Sequence, residues 1–250
     1  MNMKKTTAII LSAVLALALT GCSGNSCNTG NMGNAGNTGN TGNKGGTTAA
    51  NSEKVNNKTI DIKYTGETLS GTYSGEWENG KANGEGEFVF SDNGYDLAIS
   101  GTFKNGEPEN VSLLEESSDG THAFYVGKMS GGMPNDSNAY FEAVSKGQNL
   151  RYQGNMRNGT IEGQGDMVFV MDDGRYVRYI GTFTNNNPTS GDYQVYSSNG
   201  KLEESGKVIN GNKKTDSELV VENIVDNIGR AVEQHYGFNG LYDSLKSIIS

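Results

Sequence analysis

The stretch Tyr73-Ser74-Gly75-Glu76-Trp77-Glu78-Asn79-Gly80-Lys81-Ala82-Asn83-Gly84-Glu85-Gly86-Glu87-Phe88 decides the fold. Its opening five residues recur as Ile99-Ser-Gly101-Thr-Phe103, Tyr125-Val-Gly127-Lys-Met129, Tyr152-Gln-Gly154-Asn-Met156, Tyr179-Ile-Gly181-Thr-Phe183 and Glu204-Ser-Gly206-Lys-Val208. The six copies start 26, 26, 27, 27 and 25 residues apart. A fixed period of this size marks a repeat architecture, in which each unit stacks on its neighbours. Such an array presents an extended surface and does not by default enclose a catalytic pocket.

Each unit carries two turn signals. One follows the Tyr-x-Gly segment: Asn79-Gly80, Asn105-Gly106, Gly131-Gly132, Asn158-Gly159, Asn186-Asn187 and Asn210-Gly211. The other falls near mid-period: Asn93-Gly94, Asp119-Gly120, Lys146-Gly147, Asp173-Gly174 and Asn199-Gly200. Asn-Gly and Asp-Gly accept the positive φ angles that tight hairpins require. Turns separated by period-2 runs specify an antiparallel meander. With an opening strand near 59–64, the meander holds about twelve strands.

Side chains alternate faces along a strand. Trp77, Phe103, Met129, Met156, Phe183 and Val208 therefore fall in one row, and Tyr73, Ile99, Tyr125, Tyr152 and Tyr179 in a second. The glycines between them let large neighbours close over the backbone. The second strand of each unit repeats the idea in Gly84-Glu-Gly86-Glu-Phe88 and Gly163-Gln-Gly165-Asp-Met167, with Leu114, Tyr140, Tyr193 and Val195 as the bulky positions elsewhere. The opposite face is mostly Thr, Ser, Glu, Gln and Asn. Tyr73, Trp77, Phe103, Tyr125, Tyr152, Tyr179 and Phe183 form the candidate interaction face, because interfaces favour aromatic and Met-rich surface. The same ladder reads equally well as the packing that the fold itself needs.

The pattern Tyr-x-Gly-x-Trp-x-x-Gly-x-x-x-Gly-x-Gly-x-Phe from Tyr73 to Phe88 resembles the MORN repeat. Tyr152 to Met167 keeps the same spacing, with Met at the Trp and Phe positions. The units at Ile99, Tyr125, Tyr179 and Glu204 are degenerate. The resemblance implies a mostly β protein, an elongated antiparallel meander of stacked hairpins, with scaffolding and membrane-proximal roles.

The two ends carry other signals. Lys4 and Lys5 precede an apolar run from Ala8 to Leu19, too short to span a bilayer but suited to an export signal. Leu19-Thr20-Gly21-Cys22 resembles a bacterial lipoprotein cleavage box, which implies lipid attachment at Cys22. Cys27 is the only other cysteine, so no disulfide framework is expected. From 22 to 57 the composition falls to Asn, Gly, Thr and Ser, expected to form a disordered tether with an end-to-end distance of roughly 30–35 Å. After the repeats of 58–212, residues 213–250 read as a helical cap. Thr215-Asp-Ser-Glu218 fits a capping box, Val221 to His235 has helical spacing, and Leu241, Leu245, Ile248 and Ile249 suggest a second short helix.

The formal net charge is −9. That balance argues against nucleic acid and against adsorption to anionic headgroups. His122 and His235 fall in separate units without a nucleophile beside them, and no hydrolase, zinc, phosphate-loop or dinucleotide signature is present. Acidic turns around Gly94, Gly120 and Gly174 offer at most weak Ca²⁺ ligation. The expectation is a non-enzymatic, cofactor-free lipoprotein held outside the cytoplasm on a bacterial membrane by its anchor. Its repeats would engage a protein or cell-wall glycan. An envelope enzyme with an unrecognised site, or direct phospholipid recognition, is the alternative.

Overall fold

The computed structural model describes residues 52–145, 148–171, 173–215 and 239–249. The signal at 1–21, Cys22, Cys27, most of the tether, the first C-terminal helix and His235 lie outside them. Strands β1 (Ser52–Tyr64), β2 (Glu67–Glu78), β3 (Lys81–Asp92), β4 (Tyr95–Lys104), β5 (Glu107–Ser117), β6 (His122–Ser130), β7 (Met133–Pro134), β8 (Asp136–Ser145), β9 (Gln148–Arg157), β10 (Thr160–Val170), β11 (Tyr176–Thr184), β12 (Asn187–Tyr196), β13 (Leu202–Ile209) and β14 (Asn212–Thr215) are followed by one helix, α1 (Asn239–Ile249). The strands make one antiparallel sheet in sequence order, with the two-residue β7 paired only to β6. This is the expected meander of hairpins. β1 starts at Ser52, inside the stretch read as tether, because Glu53 and Lys54 pair with Trp77 and Glu76 and the Lys58 ammonium sits 4.7 Å from the centre of the Trp77 ring. Among the described residues no helix is long and apolar enough to cross a membrane.

The tight turns follow their chemistry. Asn79 and Gly80 have φ of 52° and 79°, the paired positive angles of the hairpin turn whose twist matches the strands it joins. One turn lies a residue earlier than the sequence suggests. Positive φ falls on Asn185 and Asn186, and Asn187 already opens β12. The turns at 117–121, 171–175 and 197–201 are three-residue loops: Gly120, Gly174 and Gly200 each donate to the carbonyl of Ser117, Met171 and Ser197. Successive turns along one rim are tied together. The N–H of Gly106, Gly159, Asn186 and Gly211 donate to the carbonyls of Ala82, Pro134, Ile161 and Thr189 at 2.8–3.0 Å.

The sheet also curls on itself at its N-terminal end. Thr65 N–H donates to the Gly132 carbonyl at 2.9 Å, Lys63 N–H to Glu107 at 3.0 Å, and the Tyr64 hydroxyl to Glu115. Thr65 bears the strain of this closure. It is a β-branched residue at φ 49°, buried, with a hydroxyl that has no hydrogen-bond partner. Left-handed backbone is costly for such a side chain, and so is a buried unpaired hydroxyl. Thr65→Asn is expected to raise stability by about 1 kcal/mol. Thermal unfolding would show it as a gain of a few degrees, and a lower Tm would refute the assignment of strain.

α1 covers apolar surface, but not at the last strand. It packs against β3, β4 and β5, where its fully buried Leu245 joins Ala98, Leu114, Phe124 and Tyr140 on the outer face of the sheet. Lys246 pairs with Glu116. Leu114 and Tyr140 thus face away from the aromatic ladder, contrary to the sequence reading. The inner positions are Leu113 and Phe141. A bulge at Thr102/Phe103 and a register shift between Asp136 and Ala139 displace the count by one residue.

Candidate functional site

The inner face is ordered by two rows that cross every repeat. One is nearly side-chain-free: Gly75, Gly86, Gly101, Val111 and Gly127 pair in succession across β2 to β6, and Ala139, Gly154, Gly165, Gly181, Gly191 and Val208 continue it across β8 to β13. The other is bulky and equally continuous: Tyr73, Phe88, Ile99, Leu113, Tyr125, Phe141, Tyr152, Met167, Tyr179 and Tyr193. The first row makes room for the second. A Cβ built on Gly75 would lie 2.6 Å from the Tyr73 hydroxyl, and one on Gly154 2.5 Å from the Tyr152 hydroxyl. The tyrosine rings lie along their own strands over these glycines. Each hydroxyl then donates to the carbonyl three residues on: Tyr73 to Glu76, Tyr125 to Lys128, Tyr152 to Asn155 and Tyr179 to Thr182, at 2.5–2.9 Å.

The rings also bridge strands that are not neighbours. Tyr73 on β2 meets Phe103 on β4 edge-on at 5.0 Å, and Tyr152 on β9 meets Phe183 on β11 at 5.4 Å. Flat strands two apart would be about 9.5 Å from each other. The intervening glycines of β3 and β10 let the rings cross. All seven residues of the candidate interaction face are brought together in this way, and all are buried: Trp77 is the most exposed at 9 %. Of the two readings of the ladder, the burial matches packing. An open aromatic platform is not what the inner face offers in this structure.

Accessible surface is therefore left to the outer face and the rims, and its charge is uneven. Between Tyr64 and Gly120 the sequence has twelve carboxylates against two lysines, Lys81 and Lys104; from Thr121 to Thr215 it has nine against ten basic residues. Glu76, Glu85, Glu87, Asp96 and Glu116 lie on outer-face positions of β2 to β5. The later repeats carry paired groups instead: Arg178 grips Asp166 through two nitrogens at 3.1 and 2.6 Å, and Glu142 accepts from Tyr140 and Arg151. The outer edges are blunted by lysines, at Lys54, Lys58 and Lys63 of β1 and at Lys213 and Lys214 of the four-residue β14.

One ionisable cluster was not legible as such. Glu115, read as part of an acidic turn, is buried at 4 % exposure between Tyr64 of β1 and Tyr95 of β4. Burial pushes its carboxyl up to about 7, against hydrogen bonds from Tyr64 and Tyr95 that lower it. Alternation from Val111 and Leu113 puts Glu115 on the inner face, which was the available signal. The turn carboxylates are otherwise engaged locally. Asp119 accepts from Thr121 N–H and Asp173 from Arg175 N–H, both at 3.0 Å. Among the described residues no three His, Cys, Asp or Glu side chains are placed to share a metal ion. His122 sits at the start of β6.

A long antiparallel repeat sheet with its aromatic rows consumed by packing defines a repeat-array protein. Two of its units, residues 73–95 and 152–173, match the MORN repeat. These are the two that keep both the Tyr-x-Gly and the Gly-x-Gly elements. No curated protein matches the chain. MORN repeats point to a binding or scaffolding module.

Proposed function

We propose that this protein is a lipid-anchored scaffolding module of the bacterial cell envelope, attached through Cys22 and carried outside the cytoplasm by the signal at 1–21. The observation that carries the reading is the outer face of a fourteen-stranded sheet, polar except where α1 covers the apolar patch of Ala98, Leu114, Phe124 and Tyr140. Such a face suits a protein partner met along an extended contact. Glycan stacking, the other candidate, would need exposed aromatic rings, and the inner rings are buried. Recognition of anionic lipid is disfavoured by the twelve carboxylates of the first repeats. The array acts without catalysis or cofactor in this reading, through geometry alone.

The test has two parts in intact cells. A clickable palmitate analogue should label the wild-type chain, and Cys22→Ala should lose both the label and membrane fractionation. A photo-crosslinker at Glu87, on the outer face, should then capture an envelope protein from the anchored chain. Unlabelled wild type in the soluble fraction would sink the anchor. Crosslinks to lipid alone would replace the scaffold with a lipid-recognition role.

A further inference from the structure

Eight Asn-Gly pairs occur in the chain, at 79–80, 83–84, 93–94, 105–106, 158–159, 199–200, 210–211 and 239–240. In this dipeptide the glycine nitrogen reaches the preceding side-chain amide carbon with least obstruction, since no side chain shields it. The fold treats the eight unequally. The Asn83 side chain donates to Glu78 and accepts from the Asn105 N–H, and Gly84 lies within β3 opposite Phe103. The N–H of Gly106, Gly159 and Gly211 are held by carbonyls of the preceding hairpin, those of Ala82, Pro134 and Thr189. Gly200 N–H is held by Ser197, and the Asn199 side-chain oxygen accepts from Ser197 and Lys201. Asn239-Gly240 opens α1, where the helix must unwind before that nitrogen can swing.

Gly80 and Gly94 differ. Among the described residues neither N–H has an acceptor. Both turns are exposed. The Asn93 side chain is still tied to Asp92 at 2.8 Å, whereas that of Asn79 makes no hydrogen bond to a described residue. A Cβ built on Gly80 would meet nothing within 4 Å, so the turn has room to move.

We propose that Asn79 is the site at which the folded protein deamidates, with Asn93 next. The Gly80 nitrogen gives its proton to solvent base and attacks the Asn79 Cγ. The Cγ–Nδ2 bond breaks, ammonia leaves, and a five-membered succinimide closes. Water adds to one of its two carbonyls and breaks one ring C–N bond, leaving aspartate or isoaspartate. The net change is one water consumed and one ammonia released, with no oxidation or reduction. One negative charge appears beside Glu78, in the acidic repeats. The isoaspartate product also lengthens the main chain by a methylene. It does so in a two-residue turn that sets the register of Trp77 opposite Ala82.

The experiment is incubation of the soluble chain at neutral pH and body temperature, with peptide mapping that resolves isoaspartate. Asn79 is expected to convert at least about fivefold faster than Asn83, Asn105, Asn158, Asn199 or Asn210, the effect of one hydrogen bond on local opening. Asn79→Gln should remove the earliest acidic species in isoelectric focusing. In concentrated urea the rates should converge. A smaller lead, a lead for another pair, or the same ranking in urea would overturn the proposal.

Discussion

Gly165→Val is expected to destabilise the protein by roughly 4 kcal/mol or more, a large share of the 5–15 kcal/mol available to a domain. Gly165 faces Gly154 on one side and Gly181 on the other, and the Tyr152 ring fills the space where its Cβ would stand. That ring has nowhere to go. It is 1 % exposed, held by Phe183 and anchored through its hydroxyl to Asn155. Inserting valine adds strain from overpacking, and expelling the ring instead gives up the burial of an aromatic side chain. Gln164→Val, one residue away on the exposed outer face, should shift stability by less than about 0.5 kcal/mol. Tyr152→Phe, which removes only the hydroxyl, should cost about 1 kcal/mol. Urea unfolding followed by circular dichroism compares the three. A Gly165→Val protein within 1 kcal/mol of wild type would show that the glycine row is not what seats the tyrosines.

The second large effect is on pH. Glu115 holds its proton to about 7 when folded and to an ordinary carboxylate value near 4.5 when unfolded. Between these two values the unfolded chain binds fewer protons than the folded one, so stability falls as pH rises. Below the lower value both states are protonated, and above the upper both are ionised, so the contribution is level at each end. The span corresponds to roughly 3 kcal/mol, greatest in favour of the fold below the unfolded value and fully lost above pH 7. Glu115→Gln keeps an acceptor for the Tyr64 hydroxyl and removes the titration. Urea midpoints of wild type should fall from pH 5 to pH 8 more steeply than those of Glu115→Gln. Parallel profiles would place the ionisation elsewhere.

The repeats were legible because their constraint is local and severe: a tyrosine ring over a glycine tolerates few substitutions, so the spacing survives even in degenerate units. What could not be read depends on displacements of single residues. The shifts near Phe103 and Asp136 move Leu114 and Tyr140 to the other face, and nothing in the residues at those positions announces a bulge. Glu115 looks like a turn carboxylate until the curl of β1 brings Tyr64 over it. The ladder's burial follows from rings crossing between strands two apart, which a row-by-row reading of a flat sheet does not foresee. The landing place of α1 was equally hidden, since amphipathic spacing tells which side of a helix is apolar but not where it will lie.

That landing place has a consequence for how the chain is made. A pure repeat array can consolidate from either end, because each unit needs only its neighbours. Here α1 completes the apolar surface of β4 and β5, and Lys246 closes on Glu116 across 130 positions of sequence. The early hairpins therefore emerge and pair with Leu114 and Ala98 still uncovered, until residues 239–249 have been delivered. Consolidation is tied to the arrival of α1. A product cut short before α1 would expose that patch to chaperones and proteases, so this contact sorts molecules that carry the helix from those that lack it.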